Sequence, residues 1–459
     1  MQNINLKSKI SGLKFEKGIF LLILILSVVS LHFVSSVECY TLSISHLPQF
    51  HKAETFLIIS DLSGIGPSVN VRFYDEFGKE ISTINKLLPP KGKINIEISD
   101  HIKSPGSIIL ESVSEMIVAE YWLINKDGTA SMIPLRPAIR DERYFVNCLR
   151  MPICEETIIA INDPKGSGPM VQIELYNTNG ELVKIARKML RPYGILTFKL
   201  SDYEPNNTIG KVSIRSFGGS ICPYVIHTYK KKVLWAFPMS VLSRNFIMDN
   251  VSIGNEIISN IAIIDTSSRE NRIWISILDN KGVKIAEGIK ILSPNSAIMI
   301  DLSEFTDNLN DGIINIISDF EIMADYWETK AKYYDIRIDN ATRDLRPSFK
   351  EAVNKESILL SSYYHYSKNI DFLMTFINTG HESTVIDVDF YSDNGGKIVN
   401  KRLNLEPFKV FRESIGRYFG NAKLGTVIVK NLNSNLLVTT SIVNVKGDRV
   451  LGKISSISY

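Results

Sequence analysis

One hairpin is written four times in this chain. "VRFYDEFGKEI" begins at Val71, "IELYNTNGELV" at Ile173, "ISILDNKGVKI" at Ile275 and "VDFYSDNGGKIV" at Val388. The turn glycines Gly78, Gly180 and Gly282 stand 102 residues apart, and Gly396 follows after 114. Pro90, Pro192 and Pro294 keep the spacing of 102, with Pro407 a further 113 residues on. A glycine ahead of a late strand recurs at Gly106, Gly210, Gly312 and Gly425. Three landmarks sharing one period define an internal repeat of about 100 residues. Any fold for this chain has to be built four times from one pattern.

Inside each copy the period is two. Val71 and Phe73 alternate with Arg72 and Tyr74, and the positions matching Arg72 are Glu174, Ser276 and Asp389. Such alternation sends one side chain to a core and the next to water. The Asp/Asn–Gly clusters supply the positive φ of a tight hairpin turn. Further β-rich runs surround it: "TFLIISDL", "KINIEIS", "GSIILES" and "MIVAEYWLI" in the first copy, "TIIAIND", "ILTFKLS", "GKVSIRS" and "ICPYVIHTY" in the second. That predicts roughly seven or eight short strands per copy, the signature of a β-sandwich. A repeat this long exceeds the roughly 20–50 residues of solenoids and propeller blades, and suffices for a core of its own. The expectation is an all-β chain of four tandem antiparallel β-sandwich modules, strung as beads. They are placed at residues 53–154, 155–255, 256–345 and 368–459. A linker at 346–367 takes up the extra residues of the last period and offers a short helix at "FKEAVNKES".

The run "TFLIISD…VNVRFYD…GKEI…LPP…ISD…GSIILES…IVAEYW" resembles the sensory rhodopsin transducer-like family. An initial strand, a "v.v.fy" hairpin, a "dl" step and a closing "s…ivv" strand come in a similar order, and "GKISSISY" resembles that family's ending. The resemblance covers each copy and implies a small sandwich. Members of the family bind partner proteins or small ligands, but none of their binding residues maps onto this chain, so the resemblance implies a fold and not a function.

Residues 1–36 are of another kind. Lys7, Lys9, Lys14 and Lys17 precede the apolar run "GIFLLILILSVVSLHFV", and Val34 and Ser36 suit a signal-peptidase cut before Val37. The reading is a secretory signal; the alternative is an uncleaved anchor, since the run approaches the ~20 residues that span a bilayer. Glu38 ahead of Cys39 argues against lipidation. Without the segment's four lysines and one glutamate, the 52 basic and 49 acidic residues become 48 of each. A neutral mature chain lacks the electrostatic footprint of a nucleic-acid binder. Of the four cysteines, Cys148 and Cys154 are close enough in sequence to form a disulfide in an exported chain, and Cys222 reads as a buried thiol.

Chemistry-bearing motifs are sparse. The seven histidines, His32, His46, His51, His101, His227, His365 and His381, show no zinc spacing, and there is no nucleophile elbow, P-loop or EF-hand. "GIGP" at Gly64 and "GSGP" at Gly166 recur 102 residues apart between strands, as a repeated turn rather than a phosphate cradle. One constellation is a candidate ligand site: Glu120 with Trp122, and Asp325 with Trp327. Residues two apart on a strand share a face, and a carboxylate beside an indole suits a sugar. The competing reading packs the indole at a joint between modules. Tyr224 and Ile226 in the second copy, Val438 and Thr440 in the fourth, break the pattern. Tyr333, Tyr334, Tyr363, Tyr364 and Tyr366 cluster near the long connection.

These observations predict an exported, non-catalytic protein with no cofactor. It would be a structural, adhesive or protein-interaction element of the periplasm, cell surface or exterior, with envelope or extracellular proteins or glycans as partners. The alternatives are a carbohydrate binder using the two tryptophan faces, and an enzyme of unfamiliar motif.

Overall fold

The computed structural model describes residues 39–137, 139–140, 143–149, 154–203, 209–238, 242–254, 257–279, 281–330, 335–340, 342–343, 359–364, 370–378, 380–407, 409–420, 423–430, 436–444, 450–454 and 457–458. The expected signal segment, the helix at "FKEAVNKES" and most of the 346–367 linker lie outside them. The fold is all-β and antiparallel, 66% strand and 5% helix. No helix among the described residues is long and apolar enough to cross a membrane. Residues 41–459 form one compact unit.

The first copy shows the plan. Its strands are β1 (Tyr40–His46), β2 (Glu54–Asp61), β3 (Ser68–Asp75), β4 (Glu80–Leu87), β5 (Lys93–Glu97), β6 (Gly106–Ser112), β7 (Ile117–Ile124) and β8 (Ala130–Pro134). One sheet runs β4-β3-β6-β1 and carries the repeated hairpin; the other runs β5-β2-β7-β8. We call these the hairpin sheet and the joint sheet. The other copies repeat both orders, and in the third one continuous strand, Leu309–Lys330, passes from one sheet into the other. In every copy, the strand ahead of the expected module start pairs into the hairpin sheet that follows it: Tyr40–His46, Arg143–Asn147, Ser243–Ile253 and Leu359–Tyr364.

The hairpin turn is the one its glycine demands. Gly78, Gly180 and Gly282 have φ of +85°, +88° and +81°, a region closed to most side chains. In the fourth copy the special residue is Gly395, at φ +82°, not Gly396. Gly395 N–H donates to the Ser392 carbonyl as Gly78 N–H donates to Asp75, both at 3.0 Å. The two adjacent glycines disguised this register, and with it the last interval becomes 113, as for the prolines.

The copies are not beads on a string. The hairpin sheet alternates in burial as far as Phe73; Tyr74, expected to face water, is instead buried against Tyr193 of the second copy. The joint sheet buries both faces: all eight residues of β7 are buried. One face packs in its own copy, the other in a neighbour. Ala262, Ile264, Ala297 and Met323 of the third copy belong to the core of the second, with Val171, Ile173 and Ile214. Ile58, Trp122 and Ile124 of the first belong to the core of the fourth, with Phe372, Phe390 and Val427.

One backbone contact recurs at three of the joints. The second residue of the hairpin turn offers its carbonyl to the first residue of the next copy's fifth strand. Ile195 N–H donates to Glu76 at 3.2 Å and Ala297 N–H to Thr178 at 3.0 Å. Lys93 N–H, in the first copy, donates to Asp393 of the fourth at 2.7 Å. Between the third and fourth, Leu278 and Ile313 pack with Ile377 and Val410. The succession of joints therefore returns to its start, fourth copy on first. A Cβ on Gly78, Gly180 or Gly395 would land on the carbonyl oxygen of Pro192, Pro294 or Pro90 across the joint. Those glycines serve the turn and the joint together.

Candidate functional site at the joints

The paired carboxylate and indole on β7 face the fourth copy. Trp122 is 0% exposed and Glu120 1%. The Trp122 Nε1–H donates to Glu120 Oε2 at 3.1 Å. Its ring meets Tyr364 edge-on at 5.6 Å, and Phe56 meets the same tyrosine at 5.7 Å. The expected sugar-stacking face is thus not available: an indole without exposed area cannot stack on a ligand. Sealing so large an apolar ring between two copies outweighs presenting it to water. Buried Lys93 belongs to this joint, its ammonium pulled down to about 8 by burial, with the charge of Glu120 opposing.

Asp325 holds the matching place in the third copy, opposite Ala262 as Glu120 is opposite Ile58. It faces the second copy, where Asn147 Nδ2–H donates to its Oδ2 at 2.7 Å. Burial pushes the carboxyl up to about 7, and the Asn147 bond opposes the shift. The backbone of Trp327 pairs with Asn260, and its side chain lies outside the described residues. Ladder register puts Tyr224 opposite Ala160 in the second copy and Thr439 opposite Thr375 in the fourth, so Thr439 and Ser441, not Val438 and Thr440, fill the fourth copy's positions.

Sequence reasoning missed Lys211. It follows the landmark Gly210, where the other copies have Ser107, Ile313 and Thr426. Its Nζ donates to the Asp265 carbonyl at 3.0 Å and to Asn295 Oδ1 at 2.8 Å, both in the third copy, and sits 4.5 Å from the Tyr176 ring. Burial draws it down to about 7, against the charge of Asp265. A lone lysine at a strand start, where the repeat otherwise carries neutral residues, was its signal. At the joint of first and second copies the same position, Ser107, donates to the Tyr193 carbonyl at 2.5 Å, and Tyr74 stacks on Tyr193 at 4.8 Å.

The expected Cys148–Cys154 disulfide is not formed; both remain thiols. Cys148 Sγ lies on the Val146 carbonyl at 3.8 Å and Cys154 Sγ on the Glu156 carbonyl at 3.3 Å. Burial pushes the Cys148 thiol up, away from reactivity. The glycine loops hold their own anion: Asp61 accepts from the N–H groups of Gly64, Gly66 and Lys91 at 3.0, 3.1 and 3.0 Å. Asp163 accepts from Gly168 at 2.7 Å. Among the described residues no group of three His, Cys, Asp or Glu side chains is placed to hold a metal.

No family model and no curated protein matches the chain. Among solved structures, one described as Thermotoga maritima 1070 is 12% identical, covering 22% of this chain and 94% of its own, with a TM-score of 0.21. A tetra-tandem repeat from the extending region of a large adhesion protein is 10% identical, covering 92% of this chain and 99% of its own, with a TM-score of 0.12. A variant of the major pilin from Streptococcus pyogenes is 7% identical, covering 58% and 99%, with a TM-score of 0.16. Likenesses at these scores carry no functional argument.

Proposed function

We propose that the chain is an exported, non-catalytic interaction element of the cell envelope or surface, in which four copies are locked into one multivalent platform. The observation that carries this reading is the fate of the polar chemistry. Glu120, Trp122, Asp325 and Lys211 are turned inward and spent on joints. What faces outward is hairpin-sheet surface, with ion pairs such as Arg72–Glu111 at 2.8 Å and Arg143–Glu174 at 2.6 Å. Its edge strands carry exposed apolar residues: Leu87, Met189 and Ile291. Such faces, held at fixed spacing, favour multivalent docking, where weak contacts gain from avidity. The export reading rests on residues 1–36.

The test is fractionation followed by cross-linked capture from intact cells. The expected result is protein outside the cytoplasm with reproducible envelope or extracellular partners. Recovery in the cytosol, or hydrolysis of an envelope polymer by the purified chain, would overturn it.

A further inference from the structure

Buried hydroxyls without a partner in the protein occur singly elsewhere at the joints, as at Ser60, Thr375 and Thr426, but they gather between the first and second copies. Ser45 and Asn162 are 0% exposed, Tyr224 1% and Ser43 3%. The Ser43 and Ser45 hydroxyls, both Asn162 amide atoms and the Tyr224 hydroxyl have no hydrogen-bond partner in the protein.

All four residues belong to this joint by the logic of the repeat. Asn162 pairs with Cys222 as Ile264 pairs with Met323, and Ile264 and Met323 face the preceding copy. Tyr224 stands where Asp325 does, and the phenol of Tyr121 in the first copy acts on it electrostatically. On the opposite side, Ser45 lies 102 residues before Asn147, which reaches Asp325. Ser43, two residues earlier on the same strand, shares its face. In the next joint, then, the same pair of positions is closed by the Asn147–Asp325 bond, and Asn162 is replaced by Ile264; in the fourth copy it is replaced by Ile377.

Buried hydroxyls and amides left bare cost as much as a lost hydrogen bond, and native proteins satisfy almost all of them. The species that satisfies these is constrained by what surrounds it. The four side chains are neutral and offer donors and acceptors together, so they match neither a cation nor an anion. Nearby His46, hydrogen-bonded to Tyr121 at 2.8 Å, is held neutral by burial. Exposure of 0–3% gives a bulky molecule no way in. We propose that this joint is a binding site for ordered water, held between Asn162 and Tyr224 of the second copy and Ser43 and Ser45 of the first.

The experiment is oxygen-17 magnetic relaxation dispersion on the full chain, which counts long-lived internal waters, comparing wild type with Asn162→Ile and Tyr224→Phe. Isoleucine already occupies the matching place in the third and fourth copies. The expected result is a loss of about one or two long-lived waters in each variant. Tyr224→Phe keeps the ring and removes only the hydroxyl, so it reads the site even if Asn162→Ile fails to fold. An unchanged count in Tyr224→Phe would overturn the proposal. So would a crystal structure with Ser45 bonded directly to Tyr224 or Asn162, or with a solute other than water between them.

Discussion

Gly78→Ala probes the turn and the joint together. Gly78 sits at φ +85°, and a Cβ there would land on the carbonyl oxygen of Pro192 in the second copy. Two costs follow. Holding an L-residue at positive φ costs about 1–2 kcal/mol. Relieving the clash requires the hairpin or the Pro192 turn to move, and overpacking of this kind costs typically ~1–3 kcal/mol. The movement would also stretch the Ile195–Glu76 bond and part Tyr74 from Tyr193. Gly128 supplies the control: its φ is +84°, and a Cβ there would meet nothing within 4 Å. Gly128→Ala therefore incurs the first cost alone. Urea unfolding of the full chain should show a loss of about 2–5 kcal/mol for Gly78→Ala and about 1–2 kcal/mol for Gly128→Ala, with similar m-values. Equal losses would mean that the hairpin does not rest on Pro192, and the joint geometry would fall with it.

Trp122→Ala should cost about 3–5 kcal/mol by opening a cavity between the first and fourth copies, without altering any signal on a glycan array; a thermally silent variant that loses glycan binding would reverse the assignment. Asp325 titrates at about 7 in the fold and near 3.9 when unfolded, so it destabilises progressively as pH rises from ~4 to ~7 and fully above. Asp325→Asn should change little below pH ~4 and stabilise by up to about 4 kcal/mol above pH ~7; parallel pH profiles for variant and wild type would refute this. A chain ending at residue 343 lacks the fourth copy and bares Ile58 and Trp122 on the first and Ile313 on the third. It should melt lower and associate with concentration in the ultracentrifuge, whereas an equally stable monomer would argue against the closing joint.

The strands were legible because the hairpin sheet obeys its period: Val71 and Phe73 are buried, Asn70 and Arg72 less so. The joints were harder to see. "MIVAEYWLI" does not alternate, and an unbroken apolar run is what a strand covered on both faces requires. That was the available sign that each copy needs a neighbour, and a sandwich counted one copy at a time hides it. Glu120 and Trp122 were placed correctly on one face of a strand. What lay opposite that face depended on Tyr364, more than 200 residues away, and no local pattern encodes it. Lys211 was passed over for the same reason, since its acceptors are on Asp265 and Asn295.

The joints share a geometry but not a chemistry, and this bears on why the copies dock in order. The position after the late-strand glycine is Ser107, Lys211, Ile313 or Thr426; Ser107 meets the proline turn of the second copy at Tyr193, and Lys211 that of the third at Asn295. Lys211 finds acceptors because that turn carries Asn295. The residue matching Asn295 is Tyr193 in the second copy and Lys91 in the first. Docked on the first copy, Lys211 would meet a second ammonium while buried, a like-charge encounter that costs several kcal/mol. The third copy offers the apolar Leu278 and Ile313, matched by Ile377 and Val410. Wrong pairings are thus penalised by unmatched polar groups rather than by shape, which is a way for four near-identical sandwiches on one chain to select a single arrangement.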